Sequence, residues 1–521
     1  MLPYGIMIST VMKVDIKNTS FFLLTILGIL PLMILATIWG IFYRINIEFL
    51  IFNTVISIII YISNKDIVIK KLRELRAWWH NLTPIWKISA LAFIFITALQ
   101  SSMPTNIPDD GFYYLQTIKW ANEVGIPKGV ARFGIQYGQF STWHIIQAIF
   151  NLSYFFGNQF NVLNGWMMSI FILLAIYNLN YTKKSEQFFY LFVVFIAVFL
   201  QYFNTAPSPD LPVILLSLII FKIFLFDDNS STNLKIIVLL TLIAISIKIS
   251  SFYLIFFVLA FGYKKILKDK KLIILSFIIG VLIISKDLIT TGSLIFPFDF
   301  YTPDWIEWKI DAKILEEGKA IIKNSPIIGY SSDLLNDFNL SQKFKLWFNY
   351  KGYRGVANKI WLLGIVILGT ISLINKKKKY FLVFIISVIH FLILWSFAPN
   401  YRFALAIILL DYFLIINFLL GDSITHYSNI LVHVGLLSSI IWLTPLISPI
   451  LKLSANPVIS ISYPLKPEYF LIPVKPFISD SYEKKDFNGE EVFIPPKYHY
   501  AWDGPLPCVM RNHFEKYGNK N

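Results

Sequence analysis

Apolar residues in this chain come in long unbroken blocks, not in two-residue alternation or a narrow helical stripe. SFFLLTILGILPLMILATIWGIFY (Ser20–Tyr43) and YFLVFIISVIHFLILWSF (Tyr380–Phe397) are examples. Such blocks are apolar all round, and a helix rising about 1.5 Å per residue needs about 20 of them to cross some 30 Å of hydrocarbon. They recur over nearly the whole length. In lipid only helices and closed barrels satisfy every backbone hydrogen bond, so the pattern predicts an all-α polytopic membrane protein. About thirteen spans fit the blocks. They run near Ser20–Tyr43, Asn46–Ser63, Ile88–Met103, Phe160–Tyr181, Gln187–Phe203, Leu211–Phe226, Leu234–Ser250, Ser251–Gly262 and Leu272–Ser285. One more ends at Lys376, and the last three are Phe381–Phe397, Ala404–Leu420 and Ile430–Ile447.

The turns between blocks give the spans a direction. NKDIVIKKLRELRAWWHNLTPIWK (Asn64–Lys87), the pair Lys183 and Lys184, KKILKDKK (Lys264–Lys271) and KKKK (Lys376–Lys379) hold clusters of basic residues. The positive-inside bias assigns these turns to the cytoplasm. The alternate segments then face outward: 104–159, NTAPSPDLP (Asn204–Pro212), 286–359 and APNYRF (Ala398–Phe403). On this count the N-terminus is cytoplasmic and the C-terminus is outside, which is the periplasm for a bacterial inner membrane. Three stretches follow: a two-span hairpin with its basic loop over 1–87, a core of spans over 88–447, and a small outer tail over 448–521, rich in Pro and Tyr, of short strands or irregular structure. Neither a fixed-period repeat nor inverted halves are visible.

Composition adds exclusions. Lys and Arg outnumber Asp and Glu by 46 to 31, but with a mean hydropathy of +0.62 this excess belongs to loops facing the membrane surface, and no nucleic-acid partner is expected. Cys508 is the single cysteine, so no intrachain disulfide and no multi-thiolate metal site can form. The first apolar block, near Ser20, is too long for the core of a cleavable signal.

The outward turns collect ionisable residues from distant parts of the chain: Asp109, Asp110, Asp210, Lys248, Lys286, Asp287 and Arg402. In IPDDGFYYLQTIKW (Ile107–Trp120), Asn106 can cap a helix, Pro108 suits its first turn, and the two acids sit where the helix dipole favours negative charge. The rest forms a short interfacial helix, with Tyr113, Tyr114 and Trp120 suited to the membrane rim. The acids could simply cap that helix. A carboxylate pair also suits a hydroxyl acceptor, one acid taking its proton and the other positioning it or binding a cation. Lys248, inside TLIAISIKISSFYLIFF, either snorkels to the surface or meets an anion. Arg402 is either an interfacial anchor or a phosphate grip. Asp210, between two prolines in APSPDLP, also fits simple turn chemistry. His144 and His390 have no second histidine at ligand spacing.

Three stretches together resemble the GT-C glycosyltransferases of bacterial and eukaryotic membranes: PDDGFYYLQTIKWANEVGIPKG, ISIKISS and APNYRFALAIILL. With TAPSPDLP and GSLIFPFDFYTPDW, the chain looks especially like a group of bacterial membrane proteins found among surface-polysaccharide genes. The resemblance implies inverting transfer of a sugar from a polyprenyl-phosphate donor to a lipid-linked glycan or surface-polysaccharide acceptor, at the outer face of the inner membrane. Asp109 would be the general base, and Asp110 would assist or hold a divalent cation (Mg or Mn) with it. Lys248 and Arg402 would hold the donor phosphate, and Tyr113, Asp210 and Lys286 would complete the substrate site. Two features depart from the family pattern. The acidic loop follows the third span, where the family often has it after the first, and a WWDxG-type motif is absent, which argues against protein N-glycosylation. A polymerase or ligase using a polyprenyl-diphosphate glycan is the alternative enzyme. A lipid-linked sugar transporter or flippase is the alternative class, and it predicts charges deep within several spans.

Overall fold

The computed structural model describes residues 1–102, 105, 107–157, 159–179, 184–298, 303, 305–328, 335, 338–424, 428–439, 482–497 and 500–518. The chain is mostly helical, as its apolar blocks predict. Its helices are α1 (Leu2–Val11), α2 (Phe21–Leu27), α3 (Ile29–Phe42), α4 (Ile47–Ser63), α5 (Lys65–Asn81), α6 (Pro84–Ser102), α7 (Leu115–Glu123), α8 (Thr142–Phe150), α9 (Ser153–Phe156), α10 (Leu163–Leu179) and α11 (Lys184–Leu200). They continue as α12 (Asp210–Phe226), α13 (Ser231–Ile247), α14 (Leu254–Ile266), α15 (Lys270–Thr291), α16 (Ala312–Ile328), α17 (Leu340–Phe348), α18 (Tyr353–Asn375), α19 (Lys378–Phe397), α20 (Tyr401–Ile424) and α21 (Ser428–Ser438).

Among the described residues, 8 helices are long and apolar enough to cross a membrane, or 9 if the bent pair α4–α5 is one span. The sequence predicts about thirteen. Much of the difference lies in α10, α12 and α13, each 17 residues long and so about 25 Å, short of a full hydrocarbon core. The thirteenth predicted span, Ile430–Ile447, lies within the described residues only as far as Ser439.

Two elements near the N-terminus depart from the sequence reading. The chain before Ser20 forms α1, which crosses α2 with its backbone in contact. A Cβ on Gly5 would lie 1.7 Å from the Leu24 carbonyl oxygen, the kind of close approach that small residues allow between helices in lipid. The basic stretch after α4 is not a loop but the helix α5, bent by 89° from α4, with Lys71 buried and donating to the carbonyls of Lys17 and Thr19 at 3.1 and 3.0 Å.

The basic turns gather at one end of the bundle. Lys379 donates to the Leu225 carbonyl at 2.8 Å, Lys271 donates to the Val11 carbonyl at 2.7 Å, and Lys235 pairs with Asp269 at 3.7 Å. α12 is buried on nearly all its faces, as expected of a helix at the centre of a bundle. Its last turn lies at the lysine-rich end and its first residue, Asp210, at the other. One acid lies well inside a span: Asp411 of α20 is fully buried and accepts from the Ser387 hydroxyl at 2.7 Å.

Where it is described, the tail holds two short strands, one of the two forms expected of it. β1 (Glu483–Phe487) and β2 (Glu490–Ile494) pair antiparallel, with Phe487 opposite Glu490. The two loop residues, Asn488 and Gly489, both have positive φ, 55° and 87°, as a two-residue hairpin turn requires. The strands and the segment after them pack against the loop that carries Asp109, through Arg132 to Glu490 at 2.6 Å and the Tyr137 hydroxyl to the Cys508 carbonyl at 3.0 Å.

Candidate functional site

At the end of the bundle opposite the basic turns, four ionisable side chains from four stretches of sequence meet. Arg402 donates from Nη2 to Asp210 Oδ2 at 2.8 Å and to Asp109 Oδ2 at 3.0 Å. Lys248 donates to Asp210 Oδ1. Local structure explains how each arrives. Asp210 begins the central helix, where the aligned peptide dipoles favour a carboxylate. Lys248 sits where α13 stops, in extended conformation with φ −153°, so its stem leaves the helix and its Nζ lies 4.4 Å from the centre of the Phe403 ring. Arg402 opens α20 after Pro399. Asp109 leads into a π-helical turn, Asp110–Tyr114, a rare geometry concentrated at functional sites.

The quartet is electrically balanced, two carboxylates against a guanidinium and an ammonium, but unevenly exposed. Asp210 keeps 4% of its side-chain surface, whereas Arg402 and Asp109 keep 32% and 30%. Asp210 is therefore the hidden strut, held by both cations, and a carboxylate so held is a poor proton acceptor. Asp109 meets Arg402 through one oxygen only. Because Nη2 makes both bonds to the acids, the rest of the guanidinium edge is not used by either carboxylate. Such an edge can bind an oxyanion through parallel N–H donors.

The other sequence candidates divide. Tyr113 lies beside the quartet, its hydroxyl 3.4 Å from Gln139 Oε1 and its ring 4.5 Å from that of Tyr114. Asp110 does not join its neighbour. It is buried, and its Oδ1 has no hydrogen-bond partner among the described residues. Burial, with the nearby Asp109 and Asp503 carboxylates, holds its pKa well above the usual range against a bond from Thr105. Lys286 is also apart, buried, donating to the Phe140 carbonyl at 2.9 Å and paired with Asp287 at 3.1 Å. Asp287 in turn accepts from the Phe296 N–H at 3.1 Å, so this pair ties down loops. Asn106, read as a helix cap, lies outside the described residues.

These positions do not fit a resident divalent cation. One acid of the expected pair is held toward its neutral form and the other already faces a guanidinium. Among the described residues no group of three or more His, Cys, Asp or Glu side chains is arranged to hold a metal.

Three contributors were missed by sequence reasoning. Tyr114 lies 3.5 Å from Asp109 Oδ2, and His144 packs on Tyr114 with ring centres 4.9 Å apart. Burial pushes His144 down to about 3, so at neutral pH it is an uncharged floor under the acidic loop. Phe403 faces Lys248; its place next to Arg402 was the available signal. A separate cavity of about 410 Å³ lies at the far end of α12, bordered by Asp15, Tyr190, Lys222 and Asp227. Its lysine is matched by Asp227 at 2.5 Å and Glu186 at 3.4 Å, which leaves no surplus positive charge for a phosphate.

Asp110 also gives a pH prediction. A carboxyl with a raised folded-state pKa favours folding at pH below its unfolded value, near 3.8, and that contribution is lost as pH rises through the folded value. Asp110→Asn is therefore expected to raise the melting temperature of the detergent-solubilised protein at pH 7 and to match wild type near pH 4. A variant less stable than wild type at pH 7 would contradict this reading.

Fold and site together define a multi-helix membrane protein with a charge quartet at one end of the bundle. The chain belongs to the family described as "Domain of unknown function (DUF8201)", which matches residues 1–409 and so spans all four quartet residues. No curated protein and no solved structure matches the chain.

Proposed function

We propose that the protein is an inverting glycosyltransferase of GT-C type, moving a sugar from a polyprenyl-phosphate donor to a lipid-linked glycan or surface-polysaccharide acceptor at the outer face of a bacterial inner membrane. The observation that carries this reading is the ion-paired link between Arg402 and Asp109, 293 residues apart, with Lys248 tied in through Asp210.

In the proposed reaction the acceptor hydroxyl gives its proton to the free oxygen of Asp109 as its oxygen bonds to the anomeric carbon. The bond from that carbon to the phosphate oxygen breaks on the opposite face, and its electron pair stays on the departing phosphate. Arg402 and Lys248 stabilise the charge that develops there, which is where fixed cations contribute most. Attack opposite the leaving group inverts the anomeric configuration. Tyr113 and Phe403 supply flat walls for the sugar and the carrier. The balance of two cations and two acids favours one phosphate over two, which ranks the diphosphate-using polymerase second. Among the described residues Asp411 is one acid well inside one span, where a flippase needs charges in several.

Purified protein supplied with a panel of polyprenyl-phosphate sugars tests the reading. Arg402→Ala and Lys248→Ala are each expected to raise the KM for donor by about tenfold or more, equivalent to about 1.4 kcal/mol. Arg402→Lys should restore little, because an ammonium lacks the planar fork. Equal losses of folding and activity would favour an anchoring role for both cations. Transfer is expected to persist in excess EDTA, since the site supplies its own fixed positive charge; abolition by EDTA with recovery on Mg would overturn that expectation.

A further inference from the structure

The tail beyond residue 409, outside the stretch that the family matches, reaches the acidic loop at one point of unusual geometry. We infer that Trp502 is a positioning residue that holds the Asp109 turn in register with Arg402, so that the C-terminal segment is part of the site and not an appendage.

The contacts concentrate within three turns of Asp109. The Trp502 backbone N–H donates to the Gly111 carbonyl at 2.8 Å. The indole lies directly on Gly111, where a Cβ would come within 2.7 Å of the ring carbons, so no larger residue fits while the indole stays. Gln116 Nε2 donates to the carbonyls of Trp502 and Gly504, both at 3.0 Å, and Lys119 donates to those of Asp503 and Gly504 at 3.2 and 3.1 Å. Trp502 itself is buried with a φ of +45°, a region that bulky residues avoid unless their surroundings over-determine it. The π-helical turn and the left-handed tryptophan thus hold each other in place. A tail that merely covered apolar surface would need neither.

Asp109 immediately precedes the clamped turn and is only partly buried, so the direction of its carboxylate follows that of the turn the tail grips. The inference meets the glycosyltransferase reading only in its activity arm, and the two can fail separately.

The test uses purified full-length protein and its single cysteine. Cys508 is buried and its thiol is pushed up to about 12 by burial, so slow maleimide labelling reports a docked segment. Trp502→Ala and Arg402→Ala are compared alone and together by thermal unfolding. Because both act on the Asp109 to Arg402 contact, their combined shift is expected to fall short of the sum, while Glu490→Ala, elsewhere on the tail, adds to Arg402→Ala without coupling. In transfer assays Trp502→Ala is expected to lower kcat about tenfold at unchanged donor KM, with Trp502→Phe recovering most of it. If Trp502→Ala labels Cys508 at the unfolded rate, Trp502→Leu, which stays apolar but takes the flat ring off Gly111, takes its place in the cycle. Additive shifts in the docked variant would overturn the inference. A wild-type protein that transfers no donor would remove the glycosyltransferase reading and leave the unfolding cycle still decisive for Trp502.

Discussion

Asp109→Asn is expected to reduce sugar transfer by about 100- to 10,000-fold, the range that loss of a general base typically produces. The substitution keeps the shape of the side chain and an oxygen for Arg402 Nη2, which stands at 3.0 Å from Asp109 Oδ2. Membrane insertion and melting temperature should therefore change little. Asp109 suits the role better than Asp110 or Asp210, being the only one of the three both within reach of Arg402 and partly exposed. Asp210 is matched on both oxygens by Arg402 and Lys248, and Asp110 is buried toward its neutral form. Asp110→Asn should accordingly retain most of its activity. Undiminished transfer by Asp109→Asn, measured against a folded control, would remove Asp109 as the base.

Asp210→Ala should instead act on folding. Its carboxylate is 4% exposed and holds two cations, and removing one member of a buried ion pair typically costs about 3–5 kcal/mol because the partner is left uncompensated. Unfolding in detergent should show a loss of that order, with little folded protein recovered at physiological temperature. The double variant Asp210→Ala with Lys248→Ala restores the charge balance, one acid against one base, and is expected to be more stable than Asp210→Ala alone. A single variant within about 0.5 kcal/mol of wild type, the range of ordinary surface changes, would contradict the strut role.

The helices were legible because lipid demands long apolar blocks, and most predicted limits fall within a few residues of the observed helices; how many of them are long enough to span was not legible. α1 escaped because, at 10 residues, it is shorter than a span. α5 escaped because its basic residues marked it only as a turn. The quartet was legible in outline: counting basic turns puts Asp109, Asp210, Lys248 and Arg402 on one face, and they meet there. The same count put Asp110 and Lys286 with them, since it gives the end of the bundle and not the direction of a side chain. Lys286 is neutralised by its own neighbour Asp287, a pairing that their adjacency in SKDL signals. The docking of Trp502 on Gly111 had no periodic signature, because it joins two irregular segments nearly 400 residues apart.

Transfer from a single-phosphate lipid donor at the quartet can be measured directly. The most direct measurement is incubation of purified full-length protein with radiolabelled polyprenyl-monophosphate sugars and a lipid-linked glycan acceptor, followed by determination of the anomeric configuration of the product. Transfer from one of these donors is expected, with inversion, and is expected to be lost in Asp109→Asn and in Arg402→Ala. Consumption of a polyprenyl-diphosphate glycan in place of every monophosphate donor, or a product of retained configuration, would contradict it.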